Sequence, residues 1–67
     1  MSELPIAPIE RLLRNAGAPR VSPDGAEALR DLMEKFANEI AVKAVKLSKH
    51  ARRRTIRAED IAMAKEG

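Results

Sequence analysis

The most constraining feature of this 67-residue chain is a stretch from Pro23 to about Lys49 that no further proline interrupts. Apolar residues recur in it every three or four positions, which places them along one side of an α-helix. They are Leu29, Leu32, Met33, Phe36, Ile40, Ala44 and Leu47. About 27 residues at 1.5 Å each form a rod of roughly 40 Å, whereas a compact chain of this length should span only about 28 Å. Such a helix outgrows the domain that contains it.

Turn signals on both sides of this long helix predict two shorter ones. The first runs roughly from Pro8 to Asn15, with Gly17 as its C-terminal cap. Ser22 directly before Pro23 is typical of the N-cap of the long helix. Glu59 and Asp60 then mark the first turn of a third helix of about two turns. The sequence predicts an all-α fold.

An exposed apolar side on the long helix predicts a partner chain. Two flanking helices of about eight residues cannot cover it, so a second copy must. A core this small is marginal without disulfides, a metal or oligomerisation. The chain has no cysteine and one histidine, which excludes disulfides and leaves no structural zinc site, since such a site needs about four N or S ligands. We expect one domain over residues 1–67 and an obligate dimer.

Positive charge is concentrated between Lys46 and Arg57, where there are six Lys or Arg residues, His50 and no acid. The net charge is +3 and the isoelectric point is near 9.8. Arginine presents a planar fork of donors that suits phosphate oxygens, so the run is typical of a phosphate-facing loop. A merely solvated surface is the alternative interpretation.

Other residue types narrow the function further. Phe36 is the only aromatic residue, so we expect no stacking platform for unpaired bases and no aromatic anchor for a bilayer. This favours double-stranded nucleic acid over single strands and membranes. The sequence has neither a signal-like start nor about 18 consecutive apolar residues, which predicts a cytoplasmic, nucleoid-associated protein. We expect no catalytic residue, cofactor, metal or small-molecule substrate, because no nucleophile, phosphate loop or carboxylate cluster is evident.

Three segments, taken in order, resemble the archaeal histones over essentially the whole chain. They are Glu-Leu-Pro-Ile-Ala-Pro-Ile at 3–9, Asn-Ala-Gly-Ala at 15–18 followed by Arg-Val-Ser at 20–22, and Arg-Arg-Thr-Ile-Arg-Ala-Glu-Asp-Ile at 53–61. The resemblance implies the histone fold, in which a long central helix lies between two short ones. It also implies an intertwined handshake dimer that brings the first loop of one protomer beside the second loop of the other.

The resemblance further implies a surface that binds and bends duplex DNA through shape and charge. Arg20 would enter a minor groove, held by Thr55 of the partner chain, and Ser22 could instead serve only as a helix cap. Other arginines would meet phosphates, and backbone N–H groups of both loops would add donors. The implied DNA-binding residues are Arg11, Arg14, Arg20, Val21, Ser22, Arg54, Thr55, Ile56 and Arg57.

Two further roles follow from the resemblance. Arg53 and Asp60 match a structural ion pair that fastens the second loop to the third helix. The residues that match a dimer-dimer interface, where two dimers meet in a four-helix bundle, are Leu47, His50, Asp60 and Met63. Simpler interpretations stay open, because His50 could only favour a helix dipole, Asp60 could be a first-turn acid, and Leu47 and Met63 could be core residues.

The expected function is therefore that of a non-enzymatic architectural protein, whose homodimers, or heterodimers with another histone, wrap DNA and associate into higher oligomers. The alternative is a histone-fold component of a protein complex with little direct DNA binding. Two departures from relatives stand out. Arg52 occupies a position where glycine is usual: it would be strained if that position needs positive φ, or its added charge would strengthen the attraction to phosphate. The third helix is expected to end early, at residues 65–67.

Overall fold

The computed structural model of the chain describes residues 3–66 and contains three α-helices in that range. They are α1 (Ile6–Asn15), α2 (Pro23–His50) and α3 (Ala58–Glu66). No strand occurs among the described residues, which confirms the all-α prediction. The third helix was expected to end at residues 65–67, and Gly67 lies outside the described residues.

The predicted start of the first helix was wrong by two residues. α1 begins at Ile6, with Pro5 as an extended N-cap residue at φ −69° and ψ 150°. Pro8 is therefore the third residue of the helix rather than the first. The first four N–H groups of a helix have no acceptor within it, so a proline that lacks this group is tolerated there.

α1 ends in a Schellman motif around Gly17, as the cap prediction required. Gly17 has φ 111° and its N–H donates to the carbonyl of Arg14 at 3.0 Å, while the N–H of Ala18 donates to the carbonyl of Leu13 at 3.0 Å. Positive φ is readily available to glycine because it has no Cβ atom. The chain thus leaves α1 with its last carbonyls satisfied.

The start of α2 is capped by Ser22, whose Oγ accepts a hydrogen bond from the N–H of Gly25 at 3.1 Å. A Cβ atom at Gly25 would lie 2.9 Å from that Oγ, so glycine leaves room for the cap. A hydrogen bond from Ser22, followed by the backbone N–H groups of Asp24 and Gly25, lowers the pKa of Asp24. The cap and the first-turn acid therefore stabilise the same helix end.

The chain divides into two compact units between Lys35 and Phe36. In the first, Ile9 and Ala26 are buried, and Oε1 of Glu34 accepts hydrogen bonds from the N–H groups of Glu3 and Leu4, both at 2.6 Å. Leu32 nevertheless remains 64% exposed. This unit alone leaves apolar surface uncovered.

The second unit has a similarly small core. Ala44 and Ala64 are buried in it, whereas Phe36 and Met63 are each 58% exposed. Other large apolar side chains of this unit are exposed as well: Val42, Val45, Ile56 and Ile61. Exposure of this kind is the expected consequence of a fold that needs a second chain. That residues 1–67 form one domain stays a prediction.

Candidate nucleic-acid interface

The loop after α2 begins with a residue in a left-handed conformation. Arg52 has φ 59°, and its N–H donates to the carbonyl of Lys49 at 2.9 Å, while the N–H of Arg53 donates to that of Ser48 at 2.9 Å. This is the same Schellman geometry that glycine supplies after α1. An L-residue there is strained by contact of its Cβ with the backbone.

Glycine at position 52 is accordingly expected to stabilise the protein. Arg52→Gly removes the left-handed strain, and after the larger unfolded-state entropy of glycine is subtracted the free energy of unfolding should rise by about 1 kcal/mol. Urea unfolding at fixed protein concentration and without DNA measures this. Arg54→Gly removes the same charge at a residue without positive φ and should give no gain. Equal effects of the two substitutions would refute the strain at Arg52.

A buried serine holds this loop from inside. Ser48 is 2% exposed, and its Oγ donates to the carbonyl of Arg53 at 2.8 Å and lies 3.4 Å from that of Thr55. Backbone carbonyls that face the interior need such donors. Sequence reasoning missed this role, for which a hydroxyl residue beside Leu47 near the helix end was the available signal.

A second brace on this loop, in addition to the hydrogen bonds of Ser48, is an ion pair between the loop and α3. Nη1 and Nη2 of Arg53 donate to Oδ2 and Oδ1 of Asp60 at 2.9 and 2.7 Å, which is a bidentate pair. The N–H of Arg57 also donates to Oδ2 at 2.9 Å, so Asp60 caps the start of α3 as well. Asp60 is 1% exposed, and its guanidinium partner is therefore turned inward rather than toward a ligand.

These hydrogen bonds also set the ionisation of the pair. The hydrogen bond from Arg53, followed by that from the backbone N–H of Arg57, lowers the pKa of Asp60, and the bond to Asp60 raises the pKa of Arg53. Both groups are thus held in their charged forms. The loop is built around an internal charge pair.

The side chain of Arg53 is used internally, whereas the four residues that follow it are accessible to solvent. Arg54, Thr55, Ile56 and Arg57 are all exposed. Arg57 lies 3.6 Å from Glu59 through Nη1 and Oε1, but both side chains are exposed, and such pairs are weak. No hydrogen bond or ion pair within residues 3–66 engages the side chain of Arg54. The braced loop therefore offers its cations to an external anion.

The first unit carries the other predicted DNA-binding residues. Arg11 and Arg14 are exposed on α1, Arg20 is exposed in the first loop and Val21 is half-buried. The hydroxyl of Ser22 is engaged in capping α2, as the simpler interpretation held. Each unit thus presents its own exposed arginines. The pairing of the first loop of one protomer with the second loop of its partner stays a prediction.

Three of the four residues predicted at a dimer-dimer interface line one groove of about 390 Å³ in the second unit. The groove residues are Lys43, Lys46, Leu47, His50, Met63 and Ala64. Asp60 does not line the groove, because its carboxylate faces Arg53 and the backbone of Arg57. Any contact of Asp60 with another dimer would have to use carboxylate lone pairs that do not already accept these hydrogen bonds.

The described residues contain neither a candidate metal site nor a candidate membrane-spanning helix. Within residues 3–66 no group of three or more His, Cys, Asp or Glu side chains could hold a metal ion. None of the helices in this range is long and apolar enough to cross a membrane.

Comparison with known proteins identifies relatives over nearly the entire chain. The model of the family described as histone-like transcription factor (CBF/NF-Y) and archaeal histone matches residues 2–64. The chain is 53% identical over 64 residues to a subunit of the archaeal histone HAN1 from Thermococcus zilligii, with 96% of each chain covered. It is 46% identical over 67 residues to probable archaeal histone 3 of Methanocaldococcus jannaschii, with both chains covered completely.

Proposed function

The chain belongs to the family of archaeal histones and histone-like CBF/NF-Y transcription factors, and from this membership we propose that its dimers bind, bend and wrap double-stranded DNA with little sequence preference. The protein is an architectural chromatin protein and not an enzyme. Its place is on the chromosome, and we propose the cytoplasm as the compartment. Association of the dimers along DNA would compact it.

The observation that carries the proposal is the braced second loop. Ser48 and the Arg53–Asp60 pair hold its backbone from inside, so the exposed Arg54 and Thr55 stand on a fixed support. A donor group whose geometry is set before binding loses less conformational entropy on meeting a phosphate. Such contacts depend on the charge and path of the DNA backbone and not on the identity of the bases.

The first loop and α1 extend this surface in the proposal. Arg11 and Arg14 would contact phosphates, while Arg20 would enter a minor groove that faces the protein and be held there by Thr55 of the partner chain. Backbone N–H groups near Val21, Ser22, Thr55 and Ile56 would add donors. Selection among sequences would then follow how easily each DNA bends and narrows its minor groove.

The dimer in this proposal is the handshake of two long helices. Exposed apolar side chains in both units, among them Leu32 and Phe36, support a second chain packed along α2. Both a homodimer and a heterodimer with another histone satisfy this requirement. The name of the Thermococcus zilligii relative describes one subunit of a histone, which supports the heterodimer as the second arrangement.

A second candidate function is that of a histone-fold component in a protein complex with little direct DNA contact. The description of the matching family includes transcription factors, and this supports the second candidate function. The exposed arginines of the second loop argue for DNA instead, because a protein-only role would not require them. Binding to short duplex DNA distinguishes the two functions.

The proposed association of dimers predicts a specific defect for Leu47→Glu. Leu47→Glu replaces an apolar contact with a carboxylate, which must lose its hydration when two dimers meet. On duplex just long enough for one dimer, gel-shift titration should give the wild-type affinity within about threefold, whereas on long duplex the larger assemblies of the wild type should be absent.

Two results would contradict parts of this account. Failure of the wild type to bind the short duplex would overturn DNA binding itself and favour the protein-complex function. Loss of the Leu47→Glu dimer in solution, seen by sedimentation, would place Leu47 in the dimer core and remove it from the contact between dimers.

A further inference from the structure

The groove at the end of α2 combines an apolar surface with a positively charged rim. Leu47, Met63 and Ala64 provide the apolar part, and Met63 is 58% exposed. Lys43, Lys46 and His50 are the remaining lining residues, so no carboxylate lines the groove. Its apolar lining suits an apolar partner surface, and its charged rim suits an acidic one.

No ion pair inside the described part of the chain includes a lysine of this rim. The ion pairs within residues 3–66 join Arg30 to Asp31, Arg53 to Asp60 and Arg57 to Glu59, and none of them includes a lysine of the groove. Asp60 lies on the neighbouring helix, but its carboxylate is buried against Arg53. The lysine charges therefore remain available to a partner.

Symmetry makes this charge decisive for the choice of partner. When two identical surfaces meet about a twofold axis, each presents the same residues to the other. Lys43 and Lys46 of one copy would then face a rim of the same sign, and like charges placed together across an interface oppose association. The apolar surface favours contact between two copies of this chain, whereas the rim opposes it.

We propose that this groove prefers a different histone-fold dimer, one that carries Asp or Glu opposite Lys43 and Lys46, over a second copy of this chain. The inference rests on the proposed association of dimers and names the partner that the groove selects. Opposite charges at the rim would add to the burial of Leu47 and Met63 rather than oppose it. Arrays made of this chain alone would be weaker than mixed arrays.

A charge-reversed form of the protein serves as the acidic partner in the test. Lys43→Glu/Lys46→Glu keeps the apolar residues of the groove and reverses its rim. Sedimentation equilibrium, at low salt and without DNA, compares the wild type alone, the variant alone and an equal mixture. The mixture should form dimer-of-dimers with an association constant roughly tenfold above that of either protein alone, and the advantage should shrink at high salt.

Two controls locate the effect in the groove. Lys35→Glu/Lys65→Glu changes the net charge equally at exposed residues that do not line the groove, and its mixture with the wild type should show no such gain. Adding Leu47→Glu to both proteins should abolish the assembly in the mixture. The proposal is overturned if the wild type alone associates as strongly as the mixture, or if the control mixture gains equally.

The outcome is independent of DNA binding. Because the experiment contains no DNA, a protein that fails to bind duplex can still show the preference of the groove. Conversely, a wild type that pairs with itself as strongly as with the acidic form would refute this inference and leave DNA wrapping intact.

Discussion

Replacing Arg20 and Arg54 with alanine is expected to lower the affinity for duplex DNA about a hundredfold or more at moderate salt, the largest functional effect that we predict. Both residues are exposed, and neither has an ion-pair partner within residues 3–66. A dimer loses four cations through the double substitution. Because each neutralised phosphate contributes about 0.9 to the slope of log K against log salt, the slope should flatten by up to about 3.6.

The measurement is a fluorescence titration of short duplex at several salt concentrations. Lys35→Ala/Lys65→Ala is the matched control, because it removes two exposed positive charges outside the proposed DNA surface. It should change the slope by less than about 1. A double arginine variant with an unchanged slope would contradict the assignment of these residues to the DNA backbone.

The largest effect on stability is expected from Asp60→Asn. This change removes the charge from a side chain that is 1% exposed and places an NH₂ group beside the guanidinium of Arg53. Breaking one partner of a buried ion pair leaves the other charge without compensation, so the thermal midpoint should fall by roughly 10 °C or more. Thermal unfolding monitored by circular dichroism, at one fixed protein concentration, measures the loss.

Glu59→Gln offers a matched control for that prediction. Glu59 is the neighbouring acid of the same helix turn, and its pair with Arg57, 3.6 Å apart, is exposed on both sides. Exposed pairs contribute little, so its midpoint should shift by no more than a few degrees. Similar losses in the two variants would show that the Arg53–Asp60 pair has no special role in the loop.

The same carboxylate gives the protein a defined acid dependence. Hydrogen bonds from Arg53 and Arg57 lower the pKa of Asp60 in the folded state below its ordinary value of 3.8. Its contribution is therefore complete above pH 3.8 and is lost as the pH falls through the folded pKa. Asp60→Asn should remove this part of the acid dependence, which unfolding curves at several acidic pH values would show.

Helix periodicity and cap residues predicted much of the fold. The spacing of Leu29 to Leu47 predicted the long α2, and Gly17 predicted the turn after α1, because each signal comes from neighbouring residues alone. The start of α1 was missed because proline, although most common at the first position of a helix, is also tolerated at the third. Helix periodicity and capping residues predict that a helix exists more reliably than they predict its first residue.

The interior of the second loop was less accessible to sequence reasoning. Ser48 is a polar residue near a helix end, and such residues are usually exposed, so its place beside Leu47 was too weak a signal to predict its burial against the carbonyl of Arg53. The pairing of Arg53 with Asp60 came from the resemblance to histones. Carboxylates are almost never fully buried unless paired, and the partner lies seven residues away, across the turn into α3.

The sequence analysis predicted strain at Arg52 only for the case in which this position has positive φ. Relatives that carry glycine indicated a left-handed position, and the structure has φ 59° there. The rim of the groove, in contrast, depends on which side chains of α2 turn toward α3. That juxtaposition of Lys43, Lys46 and Met63 is a property of packing and is not visible in the spacing of the lysines.

The central claim, that dimers of this chain wrap duplex DNA and associate along it, is tested most directly by nuclease digestion. Long duplex of mixed sequence is saturated with the protein at moderate salt, digested, and the protected fragments are sized. We predict a ladder of regularly stepped lengths, because each added dimer would protect one further increment of DNA. Absence of any protected fragment would contradict the account and favour a role as a component of a protein complex.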